Sequence, residues 1–106
     1  MIEEKNAIIT RVTIDNERNL SAYLHLDYGG SGQGFGGYCL YTERQWKENG
    51  KNYCGHFISR CLIIGGVDEW SKLVGKTVRV HSDHGKVHAI GHIVEDIWFN
   101  PSEDFK

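Results

Sequence analysis

The sequence predicts an α+β domain: a single, mostly antiparallel sheet of about five strands, with one longer and one short helix packed on one face. Three observations predict it. Residues 20–27 alternate without a break, Leu20, Ala22, Leu24 and Leu26 against Ser21, Tyr23, His25 and Asp27, which is the period of a half-buried strand. From Tyr53 the period becomes helical, with Tyr53, Phe57, Ile58, Cys61 and Leu62 at i, i+4, i+5, i+8 and i+9. The strand-like segments lie before and after the helical ones instead of alternating with them, which disfavours a βαβ arrangement.

In chain order, Ala7 to Asp15 is rich in β-branched residues and reads as a strand with Ile8, Val12 and Ile14 on one face. A polar turn, Asp15 to Asn19, joins it to the alternating strand, so the two form an antiparallel hairpin. A glycine-rich segment follows, and then Tyr38-Cys39-Leu40-Tyr41 as a short third strand. Residues 42–52 read as a polar, exposed excursion carrying one large apolar group, Trp46. The helix from Tyr53 stops at Gly65-Gly66, as a C′ glycine would stop it. Asp68 caps a short second helix through Trp70 and Leu73 that ends at Gly75. Thr77 to His81 is a strand, and Ser82-Asp83-His84-Gly85 turns into a long last strand, Lys86 to Phe99. There Val87, Ala89, Gly91, Ile93, Ile97 and Phe99 share one face, interrupted only by Glu95. Pro101 ends the pairing. Residues 1–106 form one domain, with 1–5 and 102–106 frayed.

Composition narrows the function classes. A chain of 106 residues buries roughly 65% of the surface its unfolded form exposes. With 40% hydrophobic and 11% aromatic residues it is globular in type. Twelve basic against fourteen acidic side chains give a net charge of -2, which argues against non-specific grip on a phosphate backbone. No apolar run approaches the ~20 residues of a membrane span, and Met1-Ile2-Glu3-Glu4-Lys5 lacks a signal-peptide core. Cys39, Cys54 and Cys61 are odd in number and form no C-x-x-C, so reduced thiols in the cytoplasm are expected.

The functional candidate is the segment Asp27 to Tyr38. Six of the nine residues from Gly29 to Gly37 are glycine, a composition whose ordering entropy makes it weak plain scaffolding. Tyr28, Phe35 and Tyr38 punctuate it, unlike a flexible linker. Its glycines either relieve crowding against the sheet or present a surface for a partner. Gly32-Gln33-Gly34-Phe35-Gly36-Gly37 matches G-x-G-x-x-G, but the dinucleotide fold needs a helix next and strand-like residues follow instead. The Walker lysine is absent, and so are the kinase segments. Asp27 with His25 is a conceivable acid–base pair, although an aspartate at a turn more often accepts backbone N–H groups. Cys54 and Cys61 belong to the apolar stripe, which leaves Cys39 as the thiol to test.

Among the histidines, His81, His84 and His88 are the metal candidates. His88 and His92 share a side of an extended strand about 13 Å apart, too far for one ion, and zinc needs three or four ligands converging at about 2 Å. Neither a metal nor any other cofactor is therefore expected.

The block Leu26 to Tyr38 resembles a family of small phage and prophage accessory proteins. So does a second block, Asp83 to His92 with Asp96-Ile97-Trp98-Phe99-Asn100-Pro101. Together they cover about a third of the chain. The resemblance implies a non-structural protein acting in the cytoplasm of an infected or lysogenic bacterium. Its class implies that it binds a host or defence-system protein, as an anti-CRISPR or a nucleotide-signal antagonist does. The contact surface expected on this reading comprises Asp27, Tyr28, Gly32, Gln33, Gly34, Phe35 and Tyr38, flanked by His84, His88 and His92. A small nucleotide ranks behind a protein partner and nucleic acid behind both; a homo-oligomer is compatible with each, and a membrane is not expected. Two rival readings stay open. One is a small metal- or nucleotide-dependent enzyme around Asp27, His25 and the late histidines; the other is nucleic-acid contact through Arg79, Lys86 and the loop aromatics.

Overall fold

Strand β1 (Glu3–Asp15) is the seam of the sheet in a computed structural model that describes all 106 residues. Its first half pairs with β4 (Thr77–Ser82), from Glu3 against Ser82 to Ile8 against Thr77. Its second half pairs with β2 (Ser21–Asp27), ending at Asp15 against Ser21. Strand β3 (Gly32–Gly36) lies outside β2, and β5 (Val87–Gly91) and β6 (Trp98–Phe99) lie outside β4. The result is one antiparallel sheet of six strands in the order β3-β2-β1-β4-β5-β6. Helix α1 (Glu43–Asn49), helix α2 (Cys54–Gly65) and a 3-10 turn (Trp70–Leu73) separate the two halves, and α3 (Pro101–Asp104) follows β6. The α+β class with a single sheet holds.

Two one-residue bulges set which side chains face inward. Thr10 is the extra residue between the pairs Ile9–Leu26 and Arg11–His25, so the inward parity changes within β1. Ala7 and Ile9 are buried before the bulge and Val12 packs on the core after it, whereas Ile8 is 47% exposed. The expected face of Ile8, Val12 and Ile14 is therefore corrected. In β5, His88 is the extra residue between His81–Ala89 and Ser82–Val87.

The glycine segment is not a loop before a third strand; it is the third strand. Gly32–Gly36 pairs with β2, and Tyr38–Tyr41 contributes only a bridge between Tyr41 and Leu20. A strand of three glycines holds because Tyr23 and Phe35 supply what the glycines lack. On the outer face, a Cβ at Gly34 would stand 1.5 Å from the Tyr23 hydroxyl, so the tyrosine ring occupies the space of the missing side chain. On the inner face, Phe35 is 1% exposed and stacks on Phe57 of α2 at 5.6 Å, with Phe99 of β6 edge-on at 5.8 Å.

Helix α2 presents Phe57, Cys61 and Ile64 to this core and stops at Gly66, whose φ of 69° is left-handed. The short second helix is the 3-10 turn, with Leu73 buried. Residues 43–52 are exposed, as expected, with Thr42 half-buried, but they hold a helix: Thr42 caps α1 by accepting from the Gln45 N–H at 3.1 Å. The long last strand breaks in two at residues 92–97, where His92 Nδ1 accepts from the Val94 and Glu95 N–H groups at 3.1 and 3.0 Å. The expected fraying is also revised, because β1 begins at Glu3 and Asn100 caps α3 through the Ser102 N–H.

Three substitutions separate these contributions. Phe35→Ala should cost about 3–5 kcal/mol of unfolding free energy in urea titration. Gly36→Ala sets a Cβ 2.3 Å from the Ala22 carbonyl oxygen at φ +104°, a strain on the order of 1–3 kcal/mol. Gly34→Ala should cost less than either, because Tyr23 can swing aside. A Gly34 variant as damaging as the Phe35 variant would refute that assignment.

Candidate functional site

Two hairpins meet at one rim of the curled sheet, and most of the sequence-predicted site residues gather there. The first hairpin joins β2 to β3 through Tyr28–Ser31. Asp27 Oδ1 accepts from the Gly29 N–H at 2.9 Å, the Tyr28 N–H donates to the Ser31 carbonyl at 2.8 Å, and Gly29 and Gly30 take positive φ of 90° and 141°. Asp27 is thus the turn-holding residue, beside His25 on the outer face, whose ring lies edge-on to Tyr23 at 4.7 Å. The second hairpin joins β4 to β5. Asp83 Oδ1 accepts from the Gly85 and Lys86 N–H groups at 2.8 and 3.0 Å, and its Oδ2 lies 2.8 Å from His88 Nε2.

Gln33 links the two. Its Nε2 donates to the Asp83 carbonyl at 2.9 Å across 50 residues of sequence, and its Oε1 accepts from the Tyr28 hydroxyl at 2.6 Å. Both ends of the amide are satisfied, which fixes its orientation. A continuous hydrogen-bonded chain therefore runs from Tyr28 through Gln33 and Asp83 to His88, with Lys5 Nζ 4.7 Å from the centre of the Tyr28 ring.

Shallow recesses flank this chain. One, about 290 Å³, is lined by Lys5, Tyr28, Ser31, Gln33, Asp83 and His84 among others. Another, about 410 Å³, lies between Tyr23, Gln33, Gly34 and Tyr38 on one side and His84 and Lys86 on the other. Burial pushes the Tyr38 hydroxyl above its ordinary pKa. The His88 hydrogen bond, then the Gly85 N–H, holds the Asp83 carboxyl down at about 2.

Tyr28, Gln33, Gly34, Tyr38, His84 and His88 come together here. Phe35 does not: it is core, so its expected role as a contact residue is corrected. His92 caps the 92–97 turn, away from the rim. His81, His84 and His88 do not converge, because His81 stacks on Trp98 at 3.9 Å and bonds Glu4 at 2.8 Å while His88 is held by Asp83. No group of three or more His, Cys, Asp or Glu side chains is placed to hold a metal ion. Arg79, a candidate for nucleic-acid contact, clamps the 92–97 turn through the His92 and Glu95 carbonyls and lies 4.7 Å over Trp98. Cys39 is exposed, whereas Cys61 is buried, which raises its thiol pKa. Asp83 and Lys5 were missed as site residues. The signal for Asp83 was Asp-x-Gly at a turn, the pattern of a side chain that collects backbone N–H groups.

The fold and rim define a small single-sheet α+β domain with a hydrogen-bonded polar rim. Comparison with protein-family models, with curated proteins and with solved structures gave no match. No helix is long and apolar enough to cross a membrane.

The Asp83 contacts carry a pH dependence of definite sign. A carboxyl held below its ordinary value of 3.8 stabilises the fold above that pH and loses the contribution as pH falls toward about 2. Protection of the Gly85 and Lys86 amides, taken as exchange relative to the unstructured rate at the same pH, should fall through that window in the wild type. It should show no such step in Asp83→Asn, whose side chain does not titrate. Equal acid profiles for the two proteins would contradict the assignment.

Proposed function

We propose that this chain acts by binding a protein partner through the rim where the glycine hairpin meets the Ser82–Lys86 turn. The observation that carries the reading is the chain Tyr28–Gln33–Asp83–His88, which holds the two hairpins in a fixed relation at the molecular surface. Such pre-organisation favours recognition, since less conformational freedom is lost when the partner arrives. Tyr28, Tyr38, His84 and Lys86 border the rim and offer aromatic area with polar tips, the mix that anchors protein interfaces. The resemblance to phage accessory proteins supports a component of bacterial host defence as that partner, and the cytoplasm of the infected cell as the place of action.

The test is affinity capture from infected-host lysate with the wild type and with a Tyr28→Ala, His84→Ala double variant. The variant should stay folded, its melting temperature lowered by about 8 °C at most for the lost Tyr28 packing, and lose the captured protein. Gln33→Ala, which frees the two hairpins from each other, should weaken capture roughly tenfold. Undiminished capture by the double variant would move the contact surface elsewhere.

A further inference from the structure

We propose that the outer edge of β3 is a docking edge for one extended, acidic peptide segment of the partner, which adds to the six-stranded sheet as a further strand. This rests on the binding reading above and names the chemistry that the partner brings.

The ladder between β2 and β3 decides which peptide groups are free. The Tyr28 N–H donates to Ser31 O at one end of the hairpin, and the Gly37 N–H donates to Ala22 O at the other. Pairs in an antiparallel ladder alternate between bonded and non-bonded. Leu26–Gln33 and Leu24–Phe35 are therefore the bonded pairs, and Asp27–Gly32, His25–Gly34 and Tyr23–Gly36 the non-bonded ones. The N–H and C=O groups of Gly32, Gly34 and Gly36 consequently point away from β2.

Every residue that addresses the free edge is a glycine, so no side chain of its own screens it. Sheet margins are ordinarily blunted by charged residues, proline or cover. This strand, Gly-Gln-Gly-Phe-Gly, carries neither charge nor proline. Backbone pairing along such an edge is how extended peptides are recognised. The recess of about 410 Å³ beside it gives the visitor a place.

The recess also specifies charge. His84 and Lys86 line it and no carboxylate does, and Lys86 forms none of the ion pairs of the fold. An acidic side chain on the incoming segment meets these two basic groups. The occupant is a single extended segment and not the β3 of a second copy. The Gly32–Gly36 segment of a second copy carries no acidic side chain to meet His84 and Lys86.

The experiment uses a displayed library of random peptides about twelve residues long, enough to cover the ~16 Å of β3. It is selected against the full-length chain. Selected peptides should be enriched in Asp and Glu, and on binding should slow exchange of the Gly32, Gly34 and Gly36 amides. A full-length chain assembled by ligation at Cys39, with N-methylglycine in place of Gly34, loses one outward N–H and adds no Cβ. It should bind those peptides on the order of tenfold more weakly at unchanged melting temperature, and Lys86→Glu should disfavour the acidic ones. Recovery of no peptide, or of peptides that leave the three amides unprotected, overturns the proposal. So does protection of those amides by self-association in the absence of peptide. If the Tyr28→Ala, His84→Ala variant loses its captured partner while the N-methylglycine protein keeps it, the rim reading stands and the added strand falls.

Discussion

One side chain, Phe35, keeps the glycine strand attached to the molecule. Three glycines in five residues have little to bury and much backbone freedom to lose. Phe35 supplies the missing cohesion by entering the space between Phe57 and Phe99, whose rings are themselves 5.4 Å apart and edge-on. Three elements distant in sequence, β3, α2 and β6, are thereby drawn to one point. The curl of the sheet follows, and with it the approach of Gln33 to Asp83. The polar rim is thus a by-product of an apolar contact beneath it.

A second pattern recurs at opposite ends of the sheet. Tyr23 covers Gly34 on one side, and Trp98 covers Gly91 on the other, where a Cβ would stand 2.7 Å from the indole ring. In both cases a glycine on the outer face makes room for an aromatic side chain from the next strand, a cross-strand pairing that replaces packing by a helix. Trp98 is then fixed from its remaining sides: His81 stacks on it at 3.9 Å, and its Nε1 donates to Asp96 Oδ1 at 3.0 Å. The rings act as local cover for a face that no helix shields.

The legible parts of this fold were those governed by periodicity. Leu20 to Asp27 buries Ala22, Leu24 and Leu26 as its spacing implies, and Tyr53 to Gly65 buries Phe57 and Cys61. Leu20, Tyr53, Cys54, Ile58 and Leu62, however, are only half-buried, and Ile64 joins the core outside the expected stripe. What failed were places where a single residue or a distant ring decides. Thr10 and His88 shift the register without any mark in the local pattern, since a bulge adds one residue of no special type. Gly32–Gly36 has the composition of a loop, and its strand conformation depends on Tyr23 and on Phe57, 21 residues beyond Gly36, which no local propensity encodes. The break at residues 92–97 did leave a trace, Glu95 in an otherwise apolar face. Of the site, the glycine hairpin and His84 were visible from composition. The link through Gln33 was not, because a contact between residues 33 and 83 is a property of the curl.

Helix α1 stands apart from all of this. None of its residues is buried, and Trp46, its one large apolar side chain, is 51% exposed. Its cap, its Glu43–Lys47 and Arg44–Glu48 ion pairs at 3.0 and 3.1 Å, and its stop at Gly50 all lie within residues 42–50. A segment secured only to itself opens at the small local cost of a few surface pairs, well below that of the sheet. Residues 42–50 are therefore where a protease would first find extended backbone, and where extra residues could be spliced in with the aromatic centre undisturbed.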